Sequence, residues 1–528
     1  MNNLKTIPVI DLFAGPGGLG EGFSSVIQDG SRLFDIKLSI EKDSNAHKTL
    51  LLRSFTRQFP KNKLPTEYYD VLKAADLVTR EEKLETLYKS FPSQFKAASN
   101  EAWNAELGSS KFPESIVDER IGKCVNQSKD WVLIGGPPCQ AYSLAGRSRV
   151  GGIDKGDHRV YLYLQYLRII AKFHPAVFVM ENVKGLLSAR VGGQSVFNWI
   201  KRDLSNPSIL FSEFNSPRYK VYSLSIEPDH FDLLDHPVYL KDSDYIIKSE
   251  NHGIPQKRHR VILLGVREDL KAIPDVLKRA ESMIDLKSII GDLPKIRSGL
   301  NRSIVSPSLV GARNKRKYEK VDDNFNQWKK IIDGCREKIL TWDGFENVNV
   351  KKANDFLSIG SEYIACTTPS SNNALHSWYL DPNLDGVCNH MSRSHLTQDL
   401  MRYMFAALYS VQNKRFPRLD DYQVHGDELL PNHRNAKTGM FSDRFRVQLP
   451  DEPATTITSH ISKDGHYFIH YDSEQCRSMT VREAARIQTF PDNYLFFGSR
   501  TAQYHQVGNA VPPLLAYQIA QIVKNLFV

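Results

Sequence analysis

The chain of 528 residues is 41% hydrophobic and 10% aromatic, which is enough for a sizeable core and excludes a disordered protein. Lys and Arg (69) exceed Asp and Glu (60), and the net charge of +9 is compatible with a polyanionic partner without requiring one. No apolar run reaches the roughly 18 residues of a membrane span. The N-terminus lacks a signal-peptide pattern, and the six scattered cysteines do not form a disulfide framework. We therefore expect a soluble cytoplasmic protein with reduced thiols.

Short apolar runs alternate with helix-like segments in the first half of the chain. The expected strands lie at 7–13, 35–43, 131–136, 176–182, 219–226 and 259–266. Because strands separated by helices pair in parallel, this order predicts an α/β fold with a doubly wound, mainly parallel, Rossmann-like sheet. Residues 60–128 are charged and helix-like, and we interpret them as a long insertion.

The pattern changes in the middle of the chain. From about 275 to 450 it is irregular, with basic stretches at 297–303 and 312–320 that fit either solvated loops or phosphate contacts. Helical patterns return at 479–490 and 512–527. At about 100 to 200 residues per domain, the simplest architecture is an α/β domain interrupted by a smaller, irregular one.

A glycine cluster follows the first predicted strand. Gly15, Gly17, Gly18 and Gly20 occupy a strand-to-helix turn, where glycines let a ligand approach the backbone and the helix N-terminus offers free N–H groups. Glu41 ends the next strand, 21 residues after Gly20, where an acid grips ribose hydroxyls in such sheets. The spacing differs from the G-x-G-x-x-G of dinucleotide enzymes, so we predict a smaller adenosyl ligand.

Reactive side chains stand at the ends of later strands. Cys139 follows the strand at 131–136 and is either a nucleophile with an activated thiol or an inert buried cysteine. Glu181 ends a neighbouring strand and is either an acid on the same rim or a helix cap. Arg258 and Arg260 precede a strand, and alternate residues point to opposite faces. One arginine can therefore face the rim while the other binds a carboxylate or phosphate, or both form surface ion pairs.

These segments together resemble the motifs of DNA (cytosine-5) methyltransferases of the bacterial restriction-modification type, in the family's usual order. The matching segments are DLFAGPGGLGEGF (11–23), GGPPCQAYSLAGR (135–147), DHRVYLYLQYLRI (157–169), ENVKGLL (181–187), QKRHR (256–260), RSMTVREAARIQTFPD (477–492) and QVGNAVPP (506–513). The family binds duplex DNA and flips a cytosine out of the helix, because the ring is unreachable inside the stack.

The resemblance implies a role for each reactive residue. Cys139 would attack carbon 6 of the cytosine, Glu181 would contact ring nitrogen 3 and the exocyclic amine, and Arg260 would hold the carbonyl oxygen with Arg258 in support. Carbon 5 would then take the methyl group of S-adenosylmethionine. The implied cofactor-binding residues are Phe13, Gly15, Gly17, Gly18, Leu19, Glu41, Asp70, Pro138, Leu162, Asn509 and Ala510. The implied substrate-binding residues are Gln140, Ser143 and Asn182.

The resemblance also implies a domain organisation. Residues 1–272 and 475–528 would form the catalytic domain that binds S-adenosylmethionine, and 273–474 would form the target-recognition region that reads double-stranded DNA. The C-terminal motif would return to pack on the first domain. We expect a monomer, associated with the nucleoid through DNA, that shares its site with a separate restriction endonuclease. No metal is expected, because Cys388, His390 and His395 lack a fourth zinc ligand.

Two alternatives remain beside DNA methylation. The same scaffold can methylate RNA, although a tRNA enzyme of the family needs little target-recognition region, and here that region is large. A catalytically silent DNA-binding homologue is the other alternative, which the intact Cys139, Glu181 and Arg260 disfavour.

Overall fold

An eight-stranded sheet forms the centre of the fold. The computed structural model describes residues 6–60, 63–126, 128–138, 158–191, 193–306, 317–346, 348, 356–366, 370–426, 429–430 and 443–527. The central strands are β1 (Ile7–Leu12), β2 (Phe34–Glu41), β3 (Ala102–Asn104), β4 (Val132–Gly135), β5 (Val177–Val183), β6 (Tyr219–Ser223), β7 (Ile246–Lys248) and β8 (His259–Arg267). Their order is β6-β8-β5-β4-β1-β2-β3, with β7 also paired to β8.

The sheet is mainly parallel, as the sequence predicts. The five neighbouring strands β5, β4, β1, β2 and β3 are all parallel, whereas β8 runs antiparallel to β5, β6 and β7. A parallel pair needs a crossover of a dozen or more residues, and the short link from β7 to β8 cannot provide one. This edge of the sheet therefore reverses direction and brings the start of β8 to the rim where β5 ends.

Helices cover both faces of the sheet. Their bounds are α1 (Gly18–Ser24), α2 (Ser44–Arg57), α3 (Thr66–Leu72), α4 (Leu77–Ser90), α5 (Pro92–Glu101), α6 (Glu114–Val125), α7 (His158–Phe173), α8 (Val196–Ser205), α9 (Lys287–Ile290), α10 (Phe325–Ile339), α11 (His376–Tyr379), α12 (Thr397–Asn413), α13 (Leu419–Gln423), α14 (Val481–Ile487), α15 (Arg500–Asn509) and α16 (Pro513–Lys524). In β1, Ile10 and Leu12 join one core and Ile7 and Val9 the other, so the doubly wound architecture is confirmed. Within the described ranges, no helix is long and apolar enough to cross a membrane.

The C-terminal helix packs directly on the first helix. A side-chain carbon added at Gly18 would lie 2.3 Å from the backbone oxygen of Val511, and one added at Gly22 would lie 2.4 Å from Cβ of Ala516. A side chain at Gly18 or Gly22 would collide with these atoms, so both positions require glycine. The expectation that the chain's last motif returns to its first is confirmed.

The middle region is more regular than the sequence predicts. It contains two-stranded sheets, including Arg302–Ser306 with Lys317–Lys320 and Gly360–Ala365 with Gly386–Met391, and the 17-residue helix α12. In helix α12 polar residues, including Asp399, Arg402 and Ser410, are buried together with the apolar ones, so residue polarity alone does not show which positions are buried. Near the end of this region, Ala454–Thr455 pairs in parallel with Gln256–Lys257, which precede β8 of the central sheet.

The insertion is helical, as expected, and contributes β3 to the edge of the sheet. Its helices pack on α2 through an apolar cluster that also includes Leu384 and Cys388 of the middle region. Arg80 in α4 donates to Glu362 at 2.9 Å, and Lys73 pairs with Asp385 at 2.7 Å. The insertion therefore contacts both helix α2 and the middle region.

Candidate active site at the rim of the sheet

Three strand ends bring the predicted reactive groups to one rim. Strands β4 and β5 run in parallel, with Gly135 opposite Met180, so Gly136 and Glu181 continue side by side. Strand β8 starts at the same rim, because Arg260 lies opposite Val183. Cys139, Gln140 and Ser143 lie outside the described residues, but the chain up to Pro138 leads to them from this rim.

Glu181 and Arg260 form an ion pair there. Arg260 Nε lies 2.8 Å from Glu181 Oε1, and the side chains are only 17% and 13% exposed. The second oxygen, Oε2, faces Gly136, where an added side-chain carbon would lie 3.1 Å away. Arg260 thus orients the carboxylate by one oxygen while the other is directed at the segment that leads to Cys139. Partial burial strengthens such a pair relative to one in water.

Arg258 is buried just before β8. The residue is 1% exposed, and Nη1 donates to the carbonyls of Ile457 at 2.8 Å and Gly508 at 3.3 Å. Burial lowers its pKa well below the usual arginine value; the neighbouring Arg260 acts in the same direction, and Glu181 acts against both. Arg258 therefore ties the start of β8 to two distant backbone segments, and its supporting role toward the base stays a prediction.

The glycine turn and Glu41 are held together. Gly17 has φ of 98°, a left-handed conformation that favours glycine, and an added carbon would lie 2.9 Å from Leu50. The amide of Gly15 donates to Glu41 Oε2 at 2.8 Å, and that of Asp43 donates to Oε1 at 2.7 Å. An added carbon at Gly15 would meet no atom of the described chain within 4 Å. This face of the turn is open beside a carboxylate that has spare lone pairs.

The other predicted cofactor residues fall into two groups. Phe13 and Pro138 follow strands β1 and β4 and are partly exposed, and Phe13 has an unusual positive φ of 58°. Asn509 is exposed at the end of helix α15. Leu19, Leu162 and Ala510 are buried at 5 to 6% exposure, so their side chains pack within the protein. For Leu19, only backbone groups at the start of α1 remain for a ligand.

Asp70 and Asn182 lie in different surroundings. Asp70 is exposed on α3, whereas the strand beside Glu41 ends at Asn104, whose amide donates to the Glu41 carbonyl at 2.9 Å. Asn104 therefore occupies the rim position next to Glu41. Asn182 is 3% exposed, and its amide donates to the Pro137 carbonyl at 3.5 Å, in the loop before Cys139. The cofactor contact of Asp70 and the substrate contact of Asn182 stay predictions.

Sequence reasoning missed a buried layer beneath the glycine turn. Asp11 is fully buried in β1, and burial raises its pKa to about 8. Tyr494 donates from its hydroxyl to the carbonyl of Pro16 and so braces the turn from below. A polar residue in the middle of an apolar strand was the available signal for Asp11, whereas no local pattern marks Tyr494.

Three buried arginines organise the segment before Tyr494. Arg477 donates to both carboxylate oxygens of Glu483, at 2.7 and 2.6 Å, and Arg486 donates to both oxygens of Asp492, at 2.9 and 2.7 Å. Arg482 donates only to backbone carbonyls, including that of Tyr494. The charged residues of the motif at 477–492 therefore fix the fold around the site.

The candidate zinc ligands serve other partners. Cys388 Sγ donates to the carbonyl of Leu72 at 3.6 Å, and His390 bonds to Thr480 and to the Pro294 carbonyl, both at 2.9 Å. His395 Nε2 lies 3.1 Å from the hydroxyl of Ser478. In the part of the chain that the structure describes, no three His, Cys, Asp or Glu side chains converge as metal ligands.

Comparison with known proteins gives consistent matches. The family model described as C-5 cytosine-specific DNA methylase matches residues 110–525. The type II methyltransferase M.Bpa9945I of Bacillus paralicheniformis is 31% identical over 98% of both chains. The type II methyltransferase M.DdeI of Desulfomicrobium norvegicum is 27% identical over 75% of this chain and 72% of its own. The DNA (cytosine-5-)-methyltransferase M.ApeKI of Aeropyrum pernix is 26% identical over 75% of this chain and 81% of its own.

Proposed function

The chain belongs to the C-5 cytosine-specific DNA methylase family, and we propose that it methylates a flipped-out cytosine in a specific duplex sequence through a covalent Cys139 adduct. The observation that carries this proposal is the pair of Glu181 and Arg260. Their carboxylate and guanidinium share one half-buried rim, and the free oxygen of Glu181 faces the segment that leads to Cys139.

The glycine turn fits an adenosyl cofactor. Each oxygen of Glu41 accepts one backbone N–H and keeps a lone pair for a ribose hydroxyl. The face of Gly15 is open, and the backbone at the start of α1 offers N–H groups. S-adenosylmethionine, when bound, supplies an electrophilic methyl group. We propose that Phe13, Gly15, Gly17, Glu41 and Asn509 hold it, together with backbone groups of Gly18 and Leu19.

The chain's own residues would prepare the base. Attack by the Cys139 thiolate forms a bond between sulfur and ring carbon 6, and carbon 5 becomes nucleophilic. Glu181 holds ring nitrogen 3 and the exocyclic amine as charge develops there, and Arg260 holds the carbonyl oxygen. After carbon 5 has accepted the methyl group, a water molecule takes its proton; the electron pair of that C–H bond restores the double bond between carbons 5 and 6, and the sulfur–carbon bond breaks to return the thiolate.

We propose further that residues 273–474 read the DNA sequence, apart from the stretch at 454–455 that pairs with the catalytic part. The names of the relatives support a type II modification role, in which methylation protects a site from a separate endonuclease. Bisulfite sequencing of DNA from cells that express the protein tests this role. It should reveal one short methylated sequence, and no methylated site would contradict the proposal.

Covalent trapping tests the chemistry. A duplex oligonucleotide that carries 5-fluorocytosine at the methylated position should form an adduct that survives denaturation, because fluorine cannot leave as the proton does. Cys139→Ser should form none. Cys124→Ser is a matched control, because this thiol lies near the carbonyl of Lys37, which lies away from the strand-end rim, and it should trap like the wild type.

Two outcomes would refute the proposal. An adduct in Cys139→Ser, or product formation by the wild type without any trapped adduct, would exclude Cys139 as the nucleophile. Transfer of labelled methyl to tRNA and not to duplex DNA would instead favour the RNA alternative.

A further inference from the structure

A buried hydrogen-bond network runs from the cofactor helix to the recognition region. Arg53 in α2 donates to both carboxylate oxygens of Glu21 in α1 and, through Nη1, to Asn493 Oδ1 at 3.0 Å. Asn493 Nδ2 donates to Asp381 Oδ2 at 2.7 Å. Tyr69 of the insertion donates its hydroxyl to the same carboxylate at 3.1 Å. Five segments of the chain thus meet in one continuous series of contacts.

Asp381 is the junction of this network. It is 8% exposed, and its oxygens accept from Asn493, from Tyr69 and from the backbone N–H of Asn383 at 3.0 Å. All three donors are neutral. Removing the carboxylate would leave buried donors without an acceptor, which is costly in a dry environment. The contacts of Asp381 therefore fix its neighbours in one arrangement.

The same network supports the glycine turn. Arg53 lies over the ring of Tyr494 at 4.5 Å, and the hydroxyl of Tyr494 donates to Pro16 in the turn. The hydroxyl of Tyr68 donates to the carbonyl of Asn493 at 2.8 Å. A shift of the turn or of α1 would therefore change the contacts of Asn493, which bonds directly to Asp381.

We propose that Tyr69, Asp381 and Asn493 are positioning residues that couple occupancy of the glycine turn to the placement of the recognition region, so that cofactor and DNA strengthen each other's binding. This inference rests on the proposed function. It gives the long insertion a role, since α3 supplies the tyrosine that locks Asp381. Coupling between two sites is a free energy and must be reciprocal.

The test measures DNA affinity of the full-length protein with and without S-adenosylhomocysteine, using a duplex that contains the methylated sequence. In the wild type the cofactor product should tighten DNA binding about fivefold or more, within the usual range of coupling. Asp381→Asn places an amide donor against Tyr69 or Asn493 at nearly constant volume, and Tyr69→Phe removes one hydroxyl. In both variants, S-adenosylhomocysteine should tighten DNA binding by less than about twofold.

The matched control is Asp385→Asn. Asp385 also joins the middle region to the insertion, through its ion pair with Lys73. It accepts a hydrogen bond from the hydroxyl of Tyr363 within the middle region, but its side chain is 73% exposed. It should keep the wild-type factor. The reciprocal effect of DNA on S-adenosylhomocysteine affinity should equal the direct one in every variant.

Three results would overturn the inference: no coupling in the wild type, an unchanged factor in both network variants, or an equal loss in Asp385→Asn. If Asp381→Asn fails to fold, Tyr69→Phe alone decides between these outcomes. Methyl transfer to DNA without coupling would refute this inference and leave the proposed function intact. Absence of both DNA binding and methyl transfer would refute the proposed function and this inference with it.

Discussion

The contact between α1 and α16 predicts opposite effects for one substitution at two helical glycines. In Gly22→Ala, the new carbon would lie 2.4 Å from Cβ of Ala516 and 2.5 Å from the backbone nitrogen of Tyr517. Carbon atoms pack at about 3.5 to 4.0 Å, so the helices must separate by about 1 Å. Overpacking costs about 1 to 3 kcal/mol, and helix propensity returns about 1 kcal/mol. Because backbone atoms cannot move aside, we expect the upper end of the overpacking cost, about 3 kcal/mol, and therefore a net loss of about 2 kcal/mol.

Gly334→Ala is the control. Gly334 is exposed in α10, and an added carbon would meet nothing within 4 Å, so only the propensity gain of about 1 kcal/mol remains. Urea unfolding should place the midpoint of Gly22→Ala below the wild type and that of Gly334→Ala above it. Calorimetric titration should also show weaker S-adenosylhomocysteine binding for Gly22→Ala, because α1 follows the glycine turn. Equal or higher stability of Gly22→Ala than of Gly334→Ala would refute the close contact.

Three further predictions concern buried charges. Glu483→Gln should lower the free energy of unfolding by about 3 to 5 kcal/mol, because Arg477 stays buried without its partner. The control Glu119→Gln, at an exposed ion pair, should leave the urea midpoint near that of the wild type. Burial lowers the pKa of His390 to about 4, so its contribution to stability is complete above pH 6.5 and lost as the pH falls toward 4. His390→Gln should flatten the dependence of the free energy of unfolding on pH between these values, and an unchanged dependence would contradict a buried neutral histidine. Burial raises the pKa of Asp11 to about 8, so its contribution is lost as the pH rises from about 4 through 8; unfolding of Asp11→Asn across this range should lack that decline.

Local patterns predict the rim of the site well. Glu181 and Arg260 come from strand ends, and parallel pairing alone brings such ends together. Strand alternation predicts a direction for the Arg258 side chain but not its partners, which are the backbone carbonyls of Ile457 and Gly508. Helix α12 was not predicted because polar residues such as Asp399 and Arg402 are buried in it together with the apolar ones.

Long-range polar contacts could not be predicted at all. Tyr69 and Asp381 are 312 positions apart, and neither has a neighbouring residue whose type suggests the other. Only the way the insertion packs on α2 brings them into contact. The same holds for Asn104, which is next to Glu41 because the insertion returns to the sheet as β3.

The brace from Tyr494 to Pro16 has a consequence for the newly made protein. The two residues are 478 positions apart, so at about 5 to 20 residues per second a ribosome needs roughly 25 to 95 seconds to supply the second after the first. Throughout that interval the turn lacks its hydrogen bond from Tyr494 and its contact with the backbone of Val511. Synthesis itself thus delays completion of the glycine turn until residue 494 has been made.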